Sequence, residues 1–125
     1  ASLEKNGDGF KIIVSSYQDE QRKRFAIAQE LGHLFLHMGY KTNAEIWEKQ
    51  ADKVPFQEKD PEKVRQANEF AAALLMPRYI FFLTLEAASD IAESGKRTIH
   101  MQAVADFFNV SLSAAYTRAK IFGII

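Results

Sequence analysis

The sequence predicts an α+β fold that is mostly helical, with a small β-sheet at its N-terminal side. Three observations predict it. The turn signal Asn6-Gly-Asp-Gly9 precedes a β-branched stretch, Phe10-Lys-Ile-Ile-Val14, as expected of a short strand. Beyond it, apolar residues recur at helical rather than alternating spacing. Two helix-start signals, Asp60-Pro61 and Ser111, stand ahead of such segments; a short polar N-cap and a proline at the first helical position both satisfy or remove orphan backbone donors.

The strand leads through Ser15 and Ser16 into a long helix over about 19–38. Its first turns are charged, and Phe25, Ile27, Ala28, Leu31, Leu34, Phe35 and Leu36 then occupy nearly every side, which predicts a buried second half. Gly39 ends it. Gly32, in its interior, costs about 1 kcal/mol of helix propensity relative to alanine, which predicts that a neighbouring backbone approaches closely there. Residues 41–59 carry the weakest pattern, with 44–52 as a candidate helix and 54–56 as an extended piece. The helix after Asp60 places Val64, Ala67, Asn68, Ala71, Leu74 and Leu75 on one face and stops before Pro77, because a residue preceding proline disfavours helical backbone. A further helix is predicted over 78–94 with Gly95 as its cap. Two short helices, 99–108 and 112–122, close the chain on either side of Asn109-Val-Ser111.

With 125 residues, the chain is expected to be one domain, and its abrupt start fits a piece of something longer. Hydrophobic residues at 47% and charged ones at 26% support a packed core rather than disorder. The formal net charge of zero argues against general affinity for nucleic acid or an anionic membrane. There is no cysteine, so disulfides and thiolate metal sites are excluded, in keeping with a cytoplasmic location. The longest apolar runs fall short of the roughly 20 residues a membrane-spanning helix needs, and no signal-peptide pattern stands at Ala1.

The chemistry-bearing segment is Arg24-Phe-Ala-Ile-Ala-Gln29-Glu30-Leu-Gly-His33-Leu-Phe-Leu-His37. In an H-E-x-x-H helix, two histidines four residues apart point at one zinc, and the glutamate beside the first deprotonates the metal-bound water. Here Glu30 and His33 are in place, but Gln29 stands where the first histidine should be.

Two further blocks follow in order: Ala67-Asn-Glu-Phe-Ala-Ala-Ala-Leu-Leu-Met-Pro77, and the helix pair from Val104 to Ile125. Together the three blocks resemble the ImmA/IrrE family of zinc metallopeptidases, whose members read R-F-T-x-A-H-E-L-G-H-x-x-x-H, then E-x-x-A-N-x-F-A-x-x-L-L-M-P, then a C-terminal helix pair with a Val-Ser turn. The resemblance runs over most of the chain from about Phe10 and implies a zincin-like fold. It also implies a third zinc ligand at the leading glutamate of E-x-x-A-N, which falls on Val64. Of the three vestigial ligand positions, Gln29, His33 and Val64, only His33 binds zinc well; a neutral amide is a poor donor and valine is none. Glu69 and Glu62 are spaced to point elsewhere on the helix. Glu30, His33 and His37 lie along one face, but the simpler reading is a helix with a polar end, and whether His33 and His37 serve a non-family metal stays open. No cofactor is expected. Glu30 is the vestigial general base, His33 a partner for Gln29 or Asn68.

The C-terminal pair over 98–125 has helix-turn-helix spacing, with Ser113, Tyr116 and Thr117 as candidate readers of DNA. Against that, residues 97–125 hold three Lys/Arg and one Asp, a thin basic footprint. Ile121, Phe122, Ile124 and Ile125 are expected to pack back onto the domain.

The resulting expectation is a catalytically inactive peptidase-like domain that binds a polypeptide, with Phe10, Ile12, Ile13 and Val14 on a strand able to pair with extended peptide. The resemblance implies a repressor-like partner of the XRE type, in mobile-element, stress or toxin–antitoxin-type regulation. The alternatives are an active zinc peptidase with a rearranged site, and a DNA-binding regulator using the C-terminal helices.

Overall fold

A computed structural model describes residues 1–125. In chain order the elements are β1 (Ser2–Asn6), β2 (Gly9–Ile13), α1 (Glu20–Leu36), α2 (Ala44–Lys49), α3 (Pro61–Leu75), α4 (Arg78–Ala87), β3 (Ser89–Ile91), β4 (Arg97–Ile99), α5 (Met101–Phe108) and α6 (Leu112–Ile121). The fold is α+β and mostly helical, with two small two-stranded sheets. Residues 1–71 and 72–125 form two compact units.

In the first unit, β1 and β2 form an antiparallel hairpin from Ser2 opposite Ile13 to Asn6 opposite Gly9. The other side of β1 is covered by the segment before α3: Lys53 N–H donates to Lys5 O (2.7 Å) and Phe56 N–H to Leu3 O (2.7 Å), with bridges at Asp52 and Pro55. The other edge of β2 pairs with no strand. A two-residue turn makes Asn6–Gly9 the hydrogen-bonded closing pair, and such pairs alternate with open ones. The N–H groups of Lys11 and Ile13 therefore point into the hairpin, and those of Phe10 and Ile12 point out along the unpaired edge. The strand ends at Ile13, so Val14, expected within it, lies just beyond.

Asp19 starts α1, its carboxylate accepting Arg22 N–H at 2.8 Å. Leu3, Leu34 and Met38 are fully buried beneath Ile12, Leu31, Phe35, Tyr40, Trp47 and Phe56. The helix closes tightly: His37 and Met38 N–H both donate to His33 O at 2.9 Å, and Gly39 follows at φ +80. A Cβ there would sit 2.5 Å from Asn43 O, so only glycine fits. Asp60 starts α3 as expected, its carboxylate accepting Glu62 N–H at 3.0 Å. Gly32 is the contact point of α1 and α3: an added Cβ would lie 3.1 Å from Ala67 Cα and 3.1 Å from Phe70 Cβ.

The second unit has its own core, built around Met76, Phe81, Leu85, Val104, Phe108, Val110, Ala115 and Ala119. The helix expected over 78–94 ends instead at Ala87. Ser89 turns its hydroxyl back onto Leu85 O, and the chain reverses through a hairpin in which Ser89 faces Ile99. Gly95 serves that turn rather than a helix cap. Ser111 caps α6, accepting Ala114 N–H at 3.0 Å. Of the four terminal apolar residues expected to pack inward, Phe122 and Ile124 do, whereas Ile121 and Ile125 are exposed. No single helix is long and apolar enough to cross a membrane.

Gly32→Ala is expected to lower the stability of the first unit. Overpacking costs about 1–3 kcal/mol against about 1 kcal/mol gained in helix propensity, and the clash is with backbone, which cannot rotate away. The check is a lower urea midpoint with an unchanged m-value.

Candidate functional site

Successive turns of α1 carry Gln29, Glu30, His33 and His37 toward a surface completed by α3 and by the segment before it. Gln29 Nε2 donates to Asn68 Oδ1 on α3, a single hydrogen bond across the helix crossing. His33 does not bond to Gln29 or Asn68 as expected. Its Nδ1 lies 2.9 Å from His37 Nδ1, and His37 Nε2 lies 2.9 Å from Gln66 Oε1. An amide oxygen can only accept, so His37 carries its proton on Nε2 and offers a lone pair on Nδ1. The ring of Phe56 stands 5.6 Å from that of His33. Glu58 completes the surface, with one carboxylate oxygen held by Asp60 N–H at 3.0 Å.

The electrostatics follow from partial burial. Desolvation pushes the Glu30 carboxyl above its ordinary range, against a smaller downward pull from the N-terminal amine. Burial, reinforced by His37 and opposed by Glu58, pushes the His33 imidazole down, so His33 is neutral at neutral pH.

A family model describing the IrrE N-terminal-like domain of Peptidase_M78 matches residues 6–120. The chain belongs to that family. No curated protein and no solved structure matches it. The match bears out the ImmA/IrrE resemblance and the metallopeptidase-like nature of this Peptidase_M78 domain.

The residues present do not fit the zinc of an intact Peptidase_M78 site. Gln29 offers a metal only its neutral amide oxygen, a poor zinc donor, while its Nε2 donates to Asn68. Val64 is a hydrocarbon, 38% exposed on α3. Neither carboxylate near it substitutes: Glu62 and Glu69 are both bonded to Arg65 on the exposed face of the helix. Of the inherited ligand positions, His33 alone is a metal donor, and a single imidazole does not hold a catalytic ion.

The strand residues singled out for peptide contact divide by face. Ile12 packs into the core of the first unit and Phe10 meets the Tyr40 ring edge-on at 5.1 Å, while Ile13 stays exposed. Sequence reasoning missed Glu58 and Gln66. Glu58 falls in the segment with no periodicity, and Gln66 looks like any solvated helix residue. It also missed Arg118, counted among the basic residues of the C-terminal pair. Arg118 is 8% exposed, donates to Met76 O at 3.1 Å and lies over the Phe122 ring.

Because the folded state favours the neutral form of Glu30, that group's contribution is fully present below the ordinary value of 4.5 and is lost as pH rises through the raised one. Glu30→Gln is therefore expected to gain stability over the parent at neutral pH, with the gap closing on acidification below 4.5. Urea denaturation across that range is the measurement.

Proposed function

We propose that this Peptidase_M78 domain is a catalytically inactive member that binds an extended segment of a repressor-like protein, of the XRE type, in mobile-element, stress or toxin–antitoxin-type regulation in the cytoplasm. The observation that carries the reading is the unpaired edge of β2 in a domain whose inherited ligand positions hold Gln29 and Val64. An open edge with two outward donors accepts a strand by backbone hydrogen bonding, and pockets beside it select side chains. Direct DNA contact has less support. With Arg118 buried, Arg97 and Lys120 are the cations left on the surface of 97–125.

The test uses the repressor encoded nearest to this protein's own gene. Phe10→Pro removes one outward N–H, whereas Phe10→Ala removes the ring and keeps the donor. Phe10→Pro is expected to weaken binding at least about tenfold beyond Phe10→Ala, a loss of about 1.4 kcal/mol, with both variants unfolding cooperatively near the parent's temperature. Equal binding by the two variants means the edge is not the interface. Zinc-dependent cleavage of the repressor by the parent would make the domain an active peptidase with a rearranged site.

A further inference from the structure

The ligand atoms of His33, His37 and Glu58 all lie within 4.8 Å of one another. We propose that these three residues bind one divalent transition-metal ion of the zinc class, in a site shifted one helical turn along α1 from the inherited one. This departs from the sequence-based expectation that the chain holds no metal; that expectation followed from the inherited positions, and the new site shares only His33 with them.

The geometry suits a tetrahedral ion. Zinc–nitrogen bonds of about 2.0–2.1 Å set ligand atoms about 3.3 Å apart, so the two Nδ1 atoms, now at 2.9 Å, need to part by only a few tenths of an ångström. The carboxylate closes in by rotation of Glu58. Gln66 already fixes the tautomer of His37 from behind, its Oε1 2.9 Å from Nε2, the supporting contact typical of metal-bound histidine. His33 becomes a ligand by moving its proton from Nδ1 to Nε2, with no net proton released. Glu58 keeps one oxygen on Asp60 N–H and offers the other. Two imidazoles and a carboxylate favour zinc-like ions over magnesium or calcium, which prefer all-oxygen shells.

Three protein ligands leave the fourth tetrahedral position to water, but the site lacks the general base of an H-E-x-x-H pair. His33 and His37 repeat the four-residue separation of an H-E-x-x-H pair, but the position beside the first histidine, where a general base belongs, is Leu34, fully buried. The ion instead ties the segment carrying Phe56 and Glu58 to the end of α1. That segment is also the one bonded to β1. The proposal holds whether or not a peptide binds at β2.

The test is calorimetric titration of zinc chloride into the full chain after chelator treatment, with cobalt(II) absorption as a second readout of four-coordinate geometry. One zinc per chain is expected. His37→Ala should abolish uptake. Glu58→Gln should weaken it at least tenfold; it keeps the acceptor for Asp60 N–H and so preserves the fold, with circular dichroism as the control. His100→Asn should leave uptake unchanged. Absence of zinc binding overturns the proposal. So does binding that survives both His37→Ala and Glu58→Gln.

Discussion

The backbone contact of Gly32 with Ala67 is the constraint on which the first unit depends. With no side chain between them, α1 and α3 approach closely enough for short polar groups to meet across the crossing. Gln29 then reaches Asn68, and one turn beyond the crossing His37 reaches Gln66. Even one extra methyl group between the helices would strain both bonds together, because they sit on either side of the same pivot.

A hydrogen-bonded crossing differs in character from a metal-bound one. A structural zinc contributes of the order of 10 kcal/mol to a small fold, while a neutral hydrogen bond contributes about 1 kcal/mol net. The Gln29–Asn68 pair therefore holds the register of the two helices rather than supplying much of their stability. Stability rests on the apolar packing of Leu3, Leu34 and Met38. Glu30 is the residue at a disadvantage: its carboxyl is half-buried, and desolvation disfavours its charged form.

Much of this was legible in the sequence where a local rule and the apolar pattern agreed. Asp60-Pro61 and Ser111 mark helix starts, and the interior glycine at 32 pointed to a close helix crossing; all three hold. The second hairpin was not legible. Ser89 to Lys96 has too few apolar residues to show an alternating period, and a glycine at its end reads equally as a helix cap or a turn. Strand β1 was equally silent, having Leu3 as its one buried residue. Within the site, Gln29, Glu30, His33 and Val64 were found by aligning them to a motif. Glu58 could not be, since its place beside His33 and His37 comes from the path of residues 50–60 along β1, a long-range pairing that no periodicity encodes.

The open edge of β2 carries a liability, because any exposed strand can pair with another copy of itself. Lys11 sits at the centre of the five residues from Gly9 to Ile13. If two copies met edge to edge, antiparallel and centred on their midpoints, Lys11 would face Lys11, and like charges directly opposite are unfavourable. The lysine thus works as a sorting device. It disfavours self-pairing of the chain through that edge, and any strand that did pair there would suit an acidic central residue best.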